Sequence, residues 1–231
     1  MKIMFLPTTP SGMRSVSAKK GLKNGHVVLL NKKDSPFFEK TKQQALAALR
    51  AYPGGLQIGG GITAENAAEY LDAGASHVIV TSYVFRNGTI SFENLSRLTE
   101  AVGKDKLVLD LSCRKKDGLY YIVTDRWQTY TKVALSEDIL DMLASFCDEF
   151  LIHGVDSEGK QSGIEDELIC LLSRWKQIPV TYAGGIRSFD DIDRIRNAGN
   201  GRIHITIGSA LDLYGGSLPF NEAVRYVQGN P

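Results

Sequence analysis

Two kinds of residue in this 231-residue chain are placed to do chemistry. The first is a lone carboxylate, Asp110, inside the apolar run Leu107-Val-Leu-Asp-Leu-Ser112. A charge in such a run costs free energy unless a network satisfies it or catalysis uses it, and near a strand end catalysis is the favoured reading. The second is a pair of glycine doublets, Gly60-Gly61 and Gly184-Gly185, each closing a short apolar run. Glycine lets the backbone approach an anion, and the helix start that follows supplies unpaired N–H groups and positive potential. Each doublet has a companion after the next apolar run: Thr81-Ser82 for the first, Gly208-Ser209 for the second. One doublet alone could merely permit tight strand-to-helix packing. Two, each with its companion, favour two phosphate pockets and a small-molecule substrate phosphorylated at both ends.

Other residues on the same rim carry weaker signals. Asp156 and Glu158 follow the apolar run 149–154 and read equally as catalytic acids or solvated loop residues. His153 is a packed or hydrogen-bonded strand residue rather than a base. Trp127 could cover a planar ligand or serve as ordinary core. Arg114 could meet phosphate or only surface acids. Cys113, Cys147 and Cys170 are odd in number and lack paired spacing, so they read as reduced cytosolic thiols with no metal site.

The elements that must position these groups repeat. Each doublet sits in a strand–Gly-Gly–helix–strand unit, and about half the chain's length separates the copies. Strands are expected at 25–30, 56–60, 77–82, 107–112, 149–153, 180–184 and 203–209. Helices are expected at 37–52, 65–74, 92–102, 136–146, 164–175 and 190–199, with a short one at 220–227 and a short basic one at 15–24. Lys115-Lys-Asp-Gly118 reads as a hairpin turn, with 120–127 returning from it. Ser188-Phe-Asp-Asp191 reads as a capping box, and Ser136 as an N-cap. Continuous Val/Ile/Leu strands alternating with helices imply a parallel sheet buried on both faces. With a half-length duplication, that means an α/β fold, a (β/α)8 barrel. Only seven good strands appear, and the absent one is the first: the repeat places the counterpart of strand 107–112 before Met1. Residues 2–6 are the candidate substitute. Residues 1–24 are expected to form an irregular basic segment and 25–231 the barrel.

Composition is ordinary for a soluble globular protein, with 43% hydrophobic and 23% charged residues. No apolar run approaches the roughly 20 residues that span a bilayer. The first 33 residues hold seven Lys/Arg and no Asp or Glu. Without a recognisable module, this basic start reads as solvated rather than as a nucleic-acid arm. Neither nucleic acid nor membrane is an expected partner, and a cytoplasmic monomer is expected.

The stretches Leu107-Val-Leu-Asp-Leu-Ser-Cys-Arg-Lys-Lys-Asp-Gly118, Val123-Thr-Asp-Arg-Trp-Gln128, Val180-Thr-Tyr-Ala-Gly-Gly185 and Thr206-Ile-Gly-Ser-Ala-Leu-Asp-Leu-Tyr-Gly-Gly216 resemble the eukaryotic-type ProFAR isomerases of histidine biosynthesis. The resemblance covers about residues 25–227. It implies a two-phosphate (β/α)8 barrel performing an Amadori rearrangement of a bisphosphorylated ribotide without metal or organic cofactor. Asp110 would be one of the acid/base pair, with Glu158 or Asp156 the acid after strand six and Trp127 over the base or ribose. Phosphates would sit at Gly60-Gly61 with Thr81-Ser82, and at Gly184-Gly185 with Gly208-Ser209. One departure matters: the family's first strand carries an Asp in a motif like Cys-Ile-Asp-Leu-His, and the earliest acid here is Asp34. An impaired enzyme is therefore expected, with a non-catalytic sugar-phosphate-binding barrel as the alternative. The sister cyclase of the same pathway is disfavoured by the Ser112–Gly118 stretch.

Overall fold

The computed structural model describes residues 2–5, 22–157 and 163–229. Two compact units emerge, the first from residues 2–110 and 145–148, the second from 111–144 and 149–231.

In the first unit five parallel strands lie in the order β1 (Lys2–Phe5), β2 (Gly25–Val28), β3 (Leu56–Gly59), β4 (His77–Val80) and β7 (Leu107–Asp110). Helix α1 (Phe38–Ala51) joins β2 to β3, α2 (Ala67–Asp72) joins β3 to β4, and α3 (Phe92–Val102) precedes β7. Register is continuous: His26 pairs with Gln57, Ile58 with Val78, and Ile79 with Val108. Val27, Ile58, Val78 and the whole Leu107-Val-Leu109 run are buried. Helices lie against a parallel sheet, so its strands show no polar alternation. The strand beside β2 is the short segment Lys2–Phe5, pairing Met4 with His26 and Phe5 with Val27. It takes the place proposed for a substitute. The small β5 (Phe85–Arg86) and β6 (Thr89–Ile90) hairpin, which sequence reading missed, turns on Asn87 and Gly88 at positive φ.

In the second unit β11 (Glu149–His153), β12 (Val180–Ala183) and β13 (Ile203–Ile207) run parallel. Helix α4 (Glu137–Leu143) leads into β11 and α5 (Asp166–Arg174) joins it to β12. Helix α6 (Phe189–Ala198) joins β12 to β13, and α7 (Phe220–Val227) follows. Ser136 and Ser188 accept hydrogen bonds from Ile139 N and Asp191 N, so both N-cap bonds form, while the return arm of the expected capping box runs from Arg187 N, not Ser188 N, to Asp191 Oδ2. Such a cap contributes about 1 kcal/mol. The rings of Phe150 and Trp175 meet at 5.3 Å, tilted by 52°, between strand and helix layers. The antiparallel sheet β8 (Cys113–Lys116), β9 (Leu119–Thr124) and β10 (Thr129–Ala134) is inserted here. Its first turn, Asp117-Gly118, has both residues at positive φ, as a two-residue hairpin requires.

Several boundaries differ from the sequence reading. Helix α4 stops at Leu143 rather than at 146, and Phe146 instead meets the Phe92 ring at 6.0 Å. Helix α2 starts at Ala67 rather than at 65, because Asn66 is used in the turn: it accepts from Thr63 N and donates to Gly61 O. Strand β10 was not foreseen. Most of the basic helix expected at 15–24 lies outside the described residues.

Among the described residues no helix is long and apolar enough to cross a membrane. Cys113 and Cys147 are buried and form no disulfide, and Cys170 is exposed on α5.

Candidate active site

In the first unit the candidate residues gather at the C-terminal ends of β3, β4 and β7. Strand β7 ends on Asp110, and Thr81, next after β4, donates its hydroxyl to Asp110 Oδ2 at 3.1 Å. Thr81 therefore orients the carboxylate that sequence reading singled out. Ser82 opens the 3-10 turn that follows. After β3 the chain passes through Gly60 at φ +101° and Gly61 at φ +69°. A Cβ on Gly60 would lie 2.2 Å from the Leu29 carbonyl oxygen, so only glycine fits there, whereas Gly61 has nothing within 4 Å. Packing explains the first glycine. At the second it is the backbone angle and open approach that matter.

The second unit repeats the backbone angles of this turn, but a Cβ on Gly185 would lie 2.0 Å from Gly163 O, where Gly61 has open space. Gly184 has φ +118° and its Cβ would lie 2.5 Å from Gly154 O; Gly185 has φ +69°. The equivalence of Gly60 over Leu29 and Gly184 over Gly154 shows the duplication in three dimensions. Among the described residues, no backbone acceptor takes the amides of Gly61, Ile62, Gly185 or Ile186. Gly208 and Ser209 follow β13, and a turn closes over them from Leu211 N to Gly208 O at 3.0 Å. Beside them α6 starts, capped by Ser188. Exposed amides at a helix start attract anions.

The hairpin places three more candidates. Asp125, Arg126 and Trp127 are consecutive non-glycine residues at positive φ, each costing on the order of 1 kcal/mol. This turn brings the Trp127 ring to 5.5 Å from that of His153, the last residue of β11. Arg114 Nε donates to Asp156 Oδ1 and Lys115 N to Asp156 Oδ2, both at 2.9 Å. The Asp156 carboxylate holds the Arg114 guanidinium further above its ordinary pKa. Of the two readings for Arg114, the geometry matches pairing with an acid, and both carboxylate oxygens of Asp156 are engaged by the hairpin. Glu158 lies outside the described residues.

Sequence reading passed over Glu165. Its Oε1 accepts from Ser157 Oγ at 3.3 Å, and its backbone N–H donates to Tyr182 Oη at 3.1 Å. Burial raises its carboxyl pKa, and burial likewise pushes the Tyr120 and Tyr182 hydroxyls up. Nothing local marked it, since it reads as an ordinary acid at a helix start. Ser157 also bonds Gly154 O at 3.0 Å, so this cluster braces the loop after β11. Among the described residues no group of three or more His, Cys, Asp or Glu could hold a metal ion.

Parallel strands linked by helices in each unit, with the candidate groups at the strands' C-terminal ends, define a member of the (β/α)8-barrel class. Within that class the chain belongs to the histidine biosynthesis protein family, whose model matches residues 14–219. A chloroplastic relative from Medicago truncatula, HISN3, is 54% identical over 206 residues, 89% of this chain and 64% of the relative. The Neurospora crassa relative is 43% identical over 224 residues, 95% of this chain and 84% of its own. That of Yarrowia lipolytica is 39% identical over 237 residues, 98% and 87% respectively. The chain thus spans just under two thirds of the plant relative's length. All three are named as isomerases of an imidazole-4-carboxamide bearing two phosphoribosyl groups.

Proposed function

We propose that this chain is a ProFAR isomerase, converting a bisphosphorylated aminoaldose to the aminoketose in histidine biosynthesis. Asp110 carries the reading: it ends β7 and is oriented by the Thr81 hydroxyl. The names of the relatives give its substrate class, and two glycine turns, whose amides meet no backbone acceptor among the described residues, match two phosphates in number. In the reaction a general acid protonates the ring oxygen and opens the ribose. A general base then removes the C2 proton, and the enolamine collapses to the aminoketose. Asp110 is one member of that pair. With Asp156 held by Arg114 and Lys115, Glu158 is favoured as the other. No step of this chemistry calls for a metal or organic cofactor. Trp127 covers the base or ribose. Three cysteines that form no disulfide suit a reducing compartment, here the cytoplasm.

The test is turnover of ProFAR by the full chain and by Asp110→Asn. The substitution should cut kcat by about 10²–10⁴. Unchanged kcat in Asp110→Asn refutes the assignment, and tight binding without turnover in the parent chain selects a non-catalytic sugar-phosphate-binding barrel.

A further inference from the structure

Strands β11, β12 and β13 align His153, Ala183 and Thr206 in one row: His153 pairs with Ala183, and Ala183 with Thr206. Register partners in a parallel sheet project from the same face. His153 is 6% exposed and Thr206 3%. Neither ring nitrogen of His153, nor Thr206 Oγ1, has a hydrogen-bond partner among the described residues. Buried polar groups are ordinarily satisfied, and a native structure leaves few without a partner. Lower on the same face the rule is obeyed, for Thr181 Oγ1 donates to Glu149 Oε1 at 2.5 Å. Two exceptions in one row therefore need a reason.

The row lies directly before the two turns already described, since Gly184 follows Ala183 and Gly208 follows Ile207. Ala183, the smallest side chain of the three, stands in the middle. Strand spacing puts His153 and Thr206 about 10 Å apart across it, the scale of a sugar ring with its hydroxyls. The Trp127 ring closes over the His153 side. Chemistry narrows the occupant. A neutral imidazole has one donor and one acceptor, and a threonine hydroxyl both donates and accepts. A fully ionised phosphate only accepts, so it would leave the imidazole acceptor unmet. Sugar hydroxyls donate and accept, and satisfy both residues.

We propose that His153 and Thr206 hydrogen-bond the hydroxyls of the phosphosugar whose phosphate sits at Gly184-Gly185 and Gly208-Ser209. The row is then a sugar-recognition element, setting the ring's position beneath Trp127. This rests on the phosphate reading given above.

The experiment measures binding of ribose 5-phosphate, 2-deoxyribose 5-phosphate and inorganic phosphate to the full chain by calorimetry. It compares the parent with Thr206→Val, Thr206→Ser and His153→Phe, the last keeping a ring against Trp127. Thr206→Val and His153→Phe should each weaken ribose 5-phosphate about threefold to tenfold, the loss of one neutral hydrogen bond. Inorganic phosphate affinity should stay unchanged, Thr206→Ser should bind as the parent does, and at least one variant should narrow the preference for ribose over deoxyribose. Parent-like affinity for ribose 5-phosphate in both variants, or equal losses for sugar phosphate and phosphate, overturns the proposal. So does failure of the parent to bind ribose 5-phosphate. Turnover of ProFAR is scored separately. Turnover with unselective variants sinks only the sugar contacts, while selective loss without turnover sinks only the isomerase.

Discussion

Gly184→Ala offers a sharp test of how the glycine turns are built. The residue sits at φ +118°, and its new methyl would lie 2.5 Å from Gly154 O. Gly154 cannot retreat freely, because its N–H donates to Ala183 O at 2.9 Å and its carbonyl accepts from Ser157 Oγ at 3.0 Å. Holding alanine at such an angle costs on the order of 1–3 kcal/mol. Forcing a methyl into a filled site costs about as much again. A loss of about 2–6 kcal/mol follows, a large share of a typical domain's stability. Gly61→Ala is the control, with φ +69° but nothing within 4 Å of the new methyl, so only about 1–2 kcal/mol of backbone strain applies. Equilibrium urea unfolding, followed by tryptophan fluorescence, compares the two. Gly60→Ala, 2.2 Å from Leu29 O, should behave as Gly184→Ala does. If Gly184→Ala unfolds no more easily than Gly61→Ala, contact with the Gly154 carbonyl is not what fixes glycine there.

Three further outcomes are expected. Ser188→Ala, which removes the cap on Asp191 N, should cost about 1 kcal/mol by the same unfolding assay. Thr181→Val removes a donor from the buried Glu149 carboxylate and should cost about 1.5–3 kcal/mol, read as a shift in urea midpoint at constant slope. Glu165 governs a pH dependence. Burial raises its folded-state pKa, so its contribution to stability is complete below the ordinary carboxylate pKa and lost as pH rises through the raised value. Between about pH 4 and pH 8, Glu165→Gln should therefore lose less stability with rising pH than the parent, and an identical slope would count against the burial argument.

The features readable in advance were those written in a short stretch of chain. Leu107-Val-Leu109 declares a buried parallel strand because both faces are covered, and Ser188 with Asp191 declares a helix start because the bond is three residues long. Strand β10 escaped because Thr129-Tyr-Thr-Lys-Val-Ala alternates polar residues and follows a left-handed turn of non-glycine residues. The last turn expected of α4 was lost to a contact with Phe92, far away in sequence. In the candidate site, the glycine doublets and Asp110 stood out by type and neighbours. The engagement of Asp156 could not be foreseen, since its partners lie 41 and 42 positions away. Glu165 draws its character from Ser157, Tyr120 and Tyr182, and His153 and Thr206 meet only through strand register. Such properties belong to the sheet, and no local pattern carries them.

The distribution of the thiols has a practical use. With Cys113 and Cys147 inside and Cys170 at the surface, a colorimetric thiol reagent should count one fast-reacting sulfur in the native chain and three once the chain opens. The slow pair then becomes a built-in clock for the opening of its interior, and a fluorophore can be attached at α5 without altering a single codon.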